Sequence, residues 1–194
     1  MRCWQPPEAS LQATPPQGVR TANMAHWKHM NRKESVMAFV PAAISVTSPA
    51  FDDGEAIPHL YSAEGENISP PLAWSGVPEN TAALAVFCHD PDAPLAKPGS
   101  YGFTHWVLYN LPWSINGLEE STGMGTVGMN DYGKPGYGGP NPPKGHGVHY
   151  YYFWLVALDK ELHLPSGLTL EQFLEQSEPH IIGMNRLRGT YRRD

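Results

Sequence analysis

Three short segments gather Asp, His, Gly and Pro between apolar runs: His89-Asp90-Pro91-Asp92-Ala93-Pro94, Thr104-His105-Trp106, and the stretch from Gly138 to His149. One carboxylate, Asp90, and two imidazoles, His105 and His149, stand where an apolar run meets a loop. Carried on the ends of neighbouring strands, such groups converge on one rim, and Pro91 and Pro94 stiffen the backbone that presents the acid. Convergent polar side chains on a rigid frame make a ligand-binding site. The same residue types also spell a second chemistry: a metal-dependent enzyme using an Asp90, His105 and His149 triad, with open positions for oxygen or hydrolytic reactions. Against it, no His-x-His or His-Glu-x-x-His spacing is present, and Asp92 is the one further acid at hand to orient such ligands. A Gly-x-Ser-x-Gly elbow, a P-loop and a dinucleotide fingerprint are all missing from the sequence.

The neighbours of these groups read more plainly. Asp92, between two prolines, suits a turn that shapes the loop better than a second pocket acid. His89 precedes Asp90 in an apolar run, so alternation turns it to the other face of the sheet and gives it a structural role. His146 sits in Gly145-His146-Gly147, where swinging over a pocket and simple solvation are equally compatible with the residues.

The elements that must position these groups are short and apolar. Ile44 to Thr47, Leu84 to His89, Thr104 to Leu111 and His149 to Leu158 are each bounded by Pro, Gly, Asn or Asp, a spacing that predicts an antiparallel β-sheet protein. The last run is aromatic and β-branched on both alternating faces, as a central strand is, and its period of two puts His149 and Tyr151 on one face. Helix signals come late. Thr169-Leu170-Glu171-Gln172 reads as a capping box, and Ser177-Glu178-Pro179 as the opening of a second short helix that Gly189 ends.

Composition bounds the rest. With 194 residues, 41% of them hydrophobic, 20 prolines and 19 glycines, the chain suits one loop-rich domain with a real core. Residues 1–36 lack either periodicity and read as a flexible extension, leaving 37–194 as the domain. A net charge of −6 with scattered basic residues argues against a nucleic-acid groove, and Arg186, Arg188, Arg192 and Arg193 read as a solvated terminus. Cys3 and Cys88 are badly placed for a disulfide, and Cys88 reads as a small buried hydrophobe. No apolar stretch approaches the ~20 residues of a membrane span, and a secretory pattern is missing, so a cytoplasmic protein is expected.

The segments Glu66-Asn67-Ile68-Ser69-Pro70-Pro71-Leu72-Ala73-Trp74, Asp90-Pro91-Asp92-Ala93-Pro94, Asn130-Asp131-Tyr132-Gly133 and Gly139-Pro140-Asn141-Pro142-Pro143-Lys144-Gly145, with His149 and the closing Gly189-Thr190-Tyr191-Arg192, together resemble the phosphatidylethanolamine-binding proteins (PEBP), within them the bacterial Raf-kinase-inhibitor-like branch. The resemblance runs from about Ser48 to Arg193. It implies a mainly β fold, a central antiparallel β-sheet sandwich with a few short peripheral helices, and a non-enzymatic pocket for phosphate, phosphoethanolamine or a similar anionic or zwitterionic group, without a cofactor. By motif matching, Asp90 and His105 would line the floor, Gly139, Pro140 and Pro142 one wall, and His149 with Tyr151 the other. Donors for an anion would be the imidazoles, the Tyr151 hydroxyl and exposed N–H groups of the glycine-rich loop, while Asp90 would fix a histidine tautomer or meet a ligand ammonium. Kinase or protease modulation through a protein partner, and a homodimer, are also compatible with it. Position 150 is Tyr where many relatives carry Arg, and alternation points it away from the Tyr151 face.

Overall fold

The computed structural model describes residues 43–93 and 101–194; the extension expected over residues 1–36 lies outside them. Among these residues eight strands and one α-helix follow in order: β1 Ser45–Thr47, β2 Leu72–Ser75, β3 Ala83–Asp90, β4 Phe103–Pro112, β5 Gly117–Leu118, β6 Thr126–Val127, β7 Val148–Leu158, α1 Leu170–Ser177 and β8 Ile181–Arg192. They build a three-stranded sheet, β1-β2-β5, and a five-stranded sheet, β6-β4-β3-β7-β8, with antiparallel pairing between all neighbouring strands.

Alternation explains the layering. Val86 and Cys88 on β3, Trp106 and Leu108 on β4, and Tyr151, Phe153 and Leu155 on β7 face one way and pack with Val46, Leu72, Trp74 and Leu118 of the smaller sheet. On the other face Ala85, Phe87, Val107, Tyr109 and Val156 pack beneath Phe173 of α1. The strand predicted from His149 onward is therefore covered on both faces at its Leu155–Leu158 end. The four predicted strands all form, and the capping box does too: Thr169 Oγ1 accepts from Gln172 N while Gln172 Oε1 accepts from Thr169 N.

The second predicted helix is replaced by a strand. Glu178–His180 make a single 3-10 turn with Pro179 in it, and the chain then extends as β8, paired with β7 from Leu158 back to Val148. The residues read this way in retrospect. Gly183, Leu187 and Gly189 are buried on one face while Met184, packed against the core beneath α1, and Arg186 and Arg188 turn to the other, a period of two that no helix can use. Gly189 is not a helix stop. A Cβ there would come within 2.5 Å of Ile57 Cγ1 and 2.9 Å of Phe51, so its absence lets the 51–57 loop lie against the strand. Three of the outward arginines read as a solvated tail belong to β8, where Arg186 lies over the rings of Tyr152 and Trp154 and Arg188 pairs with Asp53. The short β2, β5 and β6 carry no periodicity long enough to be read beforehand. Cys88 is free and buried, and among the described residues no helix is long and apolar enough to cross a membrane.

Candidate functional site

Strand order alone brings the chemistry together, because β4, β3 and β7 are neighbours. On β3 the inward series Val86, Cys88 continues to Asp90 at the strand end, while His89 faces the other side and gives its Nε2–H to the Tyr101 carbonyl at 2.7 Å. On β7 the alternation buries His149 and Tyr151 and leaves Tyr150 exposed. His105 arrives by a different route. Cys88 pairs with Trp106 and His89 with Thr104, so His105 is the extra residue of a β-bulge, turned to the same side as Asp90.

Asp90 is 2% exposed and accepts from three N–H groups. Its Oδ1 takes the amides of Asp92 (2.8 Å) and Ala93 (3.1 Å), and its Oδ2 takes His149 Nδ1–H at 2.8 Å. That bond fixes the His149 tautomer and leaves Nε2 for the cavity side. Asp92 shapes the turn without lining the cavity; its Oδ2 accepts from Tyr150 N at 2.9 Å, pinning the amide between His149 and Tyr151.

His105 is tied to one residue twice. Its Nδ1–H donates to the Gly138 carbonyl at 2.7 Å, and its own carbonyl accepts from Gly138 N. Burial pushes its pKa down to about 4, against the opposing pull of Gly138 and Asp90, so at neutral pH the ring is uncharged and its Nε2 is an acceptor. The Tyr151 and His105 rings meet edge to face, with centroids 5.1 Å apart. The Tyr151 hydroxyl is buried beside Asp90 without a partner at full hydrogen-bond geometry, and burial, with the charge and side chain of Asp90 adding to it, raises its ionisation far above the usual phenol range.

These four side chains line a cavity of about 240 Å³ whose remaining walls are Ala93, Phe103, Tyr132, Asn141, Pro142 and Pro143. Burial and Asp90 push the Tyr132 hydroxyl up to about 12, and it donates to the Gly139 carbonyl. Of the expected wall, Pro142 is in place, but Gly139 and Pro140 sit behind it. Gly139 N donates to Asn67 Oδ1 at 2.7 Å, Pro140 O accepts from Ala63 N, and a Cβ on Gly139 would strike the Tyr61 carbonyl. The expected loop amides are also committed: those of Gly138, Gly139 and Gly145 go to His105 O, Asn67 Oδ1 and Arg193 O. The metal triad does not assemble. Both Asp90 oxygens and both Nδ1 atoms are hydrogen-bonded within the protein, and among the described residues no three His, Cys, Asp or Glu side chains stand as a metal-binding group. Of the residues the sequence reading missed, Tyr132 lay in a quoted motif without a role, and Phe103 looked like any strand aromatic.

His146 is exposed, and its ring stacks on that of His149 at 6.2 Å between centroids and 29° between planes.

Comparison with known proteins agrees with this architecture. The sequence model of the phosphatidylethanolamine-binding protein family matches residues 47–192. A UPF0098 protein of Methanothermobacter thermautotrophicus is 46% identical over 157 residues, 77% of this chain and 99% of that protein. Another, from Aquifex aeolicus, is 38% identical over 79% of this chain and 91% of its own length. Among solved structures, a phosphatidylethanolamine-binding protein homolog from Chlamydia trachomatis superposes with a TM-score of 0.73 at 40% identity, covering 79% of this chain and 99% of that one. YbcL of E. coli, described as a member of the mammalian PEBP family, gives 0.71 at 31% identity, over 78% and 99%. On the family model, the relatives and the superposed structures together, this chain belongs to the phosphatidylethanolamine-binding protein family.

Proposed function

We infer that the chain is a binding protein whose cavity takes a small phosphate-type anion or zwitterion, by recognition and without turnover. The observation that carries this reading is the cavity itself, on which Asp90, His105, His149 and the buried Tyr151 hydroxyl converge. The Tyr151 hydroxyl, which sits beside Asp90, can turn its donor to a ligand oxygen. His149 supplies a second donor through Nε2 when its ring is protonated, and Asn141 offers an amide at the rim. The ammonium of a zwitterion would lie against the Phe103 and Tyr132 rings, which flank the cavity with centroids 4.6 Å apart.

Calorimetric titration with inorganic phosphate and phosphoethanolamine tests this directly. Saturable binding is expected, weakened by about 0.5–1.5 kcal/mol in Tyr151→Phe and by roughly 1.5–3 kcal/mol in His149→Ala, with both variants folded. Unchanged affinity in both folded variants would overturn the site assignment.

A further inference from the structure

The peptide that joins Gly138 to Gly139 is gripped at both ends. Its C=O, on Gly138, accepts from His105 Nδ1 at 2.7 Å, and its N–H, on Gly139, donates to Asn67 Oδ1, also at 2.7 Å. A trans peptide is planar, with N–H and C=O pointing opposite ways, so Asn67 and His105 hold one rigid unit from its two sides. The neighbouring groups are committed as well. Gly138 N donates to His105 O, while Gly139 O accepts from the Tyr132 hydroxyl at 3.1 Å and adds to the pull on a His105 ring proton. Asn67 itself does not line the cavity.

Both glycines are buried and closely approached. A Cβ on Gly138 would come within 2.5 Å of the Tyr132 ring, and one on Gly139 within 2.3 Å of the Tyr61 carbonyl. Tyr132 of the cavity wall therefore closes on the first glycine and the 59–67 loop on the second. That loop is anchored in turn: Ala63 N donates to Pro140 O, the Tyr137 hydroxyl to Tyr61 O, and the amides of Glu66 and Asn67 share Leu60 O. Asn67 ends it at φ +56°, a left-handed conformation that Asn, Asp and Gly adopt more readily than other residues.

We propose that Asn67 is a positioning residue for the site: by accepting from Gly139 N it fixes the Gly138–Gly139 peptide, and through that peptide it keeps the His105 proton on Nδ1 and presents Nε2 to the ligand as an acceptor. An acceptor on the N–H polarises the peptide and strengthens its C=O as a partner for His105. Without Asn67 Oδ1 the buried Gly139 amide is orphaned, the peptide is free to turn toward another acceptor, and the bond that selects the His105 tautomer weakens. The consequence for binding rests on the phosphate-type reading of the cavity; the hold on His105 does not.

The test compares full-length wild type, Asn67→Gly and Asn67→Asp at pH 7.5, by ¹⁵N NMR of the histidine rings without ligand and by calorimetric titration with phosphoethanolamine. Both replacements suit the left-handed turn, but only Asp keeps an oxygen for Gly139 N, so a residue that merely shapes the turn would leave the two variants alike. Wild type and Asn67→Asp should show His105 with a protonated Nδ1 and a bare Nε2, and affinities within about twofold of each other. In Asn67→Gly the two ring signals move toward each other as an Nε2–H population appears, and affinity falls by roughly three- to tenfold, the worth of one hydrogen bond, in step with the lost Nδ1–H fraction. An unchanged His105 in folded Asn67→Gly, an Asn67→Asp that behaves like Asn67→Gly, or an affinity that rises with the Nε2–H population overturns the proposal. The expected His105 contrast in a protein that binds no phosphoethanolamine overturns the phosphate-type reading and upholds the hold of Asn67 on the ring.

Discussion

His105 is packed among Phe103, Tyr132 and Tyr151 and gives its one ring proton to Gly138, so its charge state becomes a property of the fold. With the folded pKa at about 4 against an ordinary 6.5, neither state is protonated well above pH 6.5. Between those values the unfolded chain takes up a proton that the folded chain refuses, so stability falls as pH falls through that window and the loss is complete below it. The histidine contribution is roughly 2–3 kcal/mol between pH 7 and pH 4.5. Denaturant titrations at the two pH values should show a smaller loss for His105→Asn, which keeps an N–H for Gly138 and has nothing to titrate; equal losses would contradict the buried neutral ring. Asp90, His149 and Tyr151 were legible as a group because alternation along two apolar runs sets their direction. Gly139 and Pro140 were misplaced because a motif says which residues are near each other in sequence and not which of them turns its back to the cavity. Tyr132 and Phe103 escaped because an aromatic side chain lining a cavity and one filling a core look the same in a sequence.

At the scale of the element, the site follows from three neighbouring strands and one irregularity. The sequence shows β3, β4 and β7 as apolar runs, but the bulge that turns His105 toward Asp90 exists only relative to the pairing with β3 and has no local signature. β8 was misread for a related reason: Pro179 after Ser177 does start a turn, yet the long pairing with β7 outweighs the local helical preference beyond it. Gly189 discriminates between the two readings. As a helix stop it would tolerate a small side chain; as a point of close approach it does not. Gly189→Ala should destabilise the protein by about 1–3 kcal/mol through overpacking against Ile57 and Phe51, measured by thermal or chemical denaturation. A change under about 0.5 kcal/mol would mean the 51–57 loop yields freely.

Across the whole molecule, one sandwich core supports a cavity at the open ends of β3 and β7, where the apolar layer between the sheets gives way to Asp90, His149 and Tyr151. The overall architecture was readable because strand-length apolar runs, turn residues and the order of the motifs pointed the same way. The net charge of −6 says nothing of this site, since its charge balance is made locally by Asp90 and His149. The most direct measurement of the central claim is a phosphate titration followed by ¹⁵N NMR of the histidine rings. His149 Nε2 is expected to shift and saturate with phosphate while its Nδ1, held on Asp90, changes little and His105 stays in its neutral tautomer. Saturating phosphate that leaves the His149 ring unperturbed would contradict it.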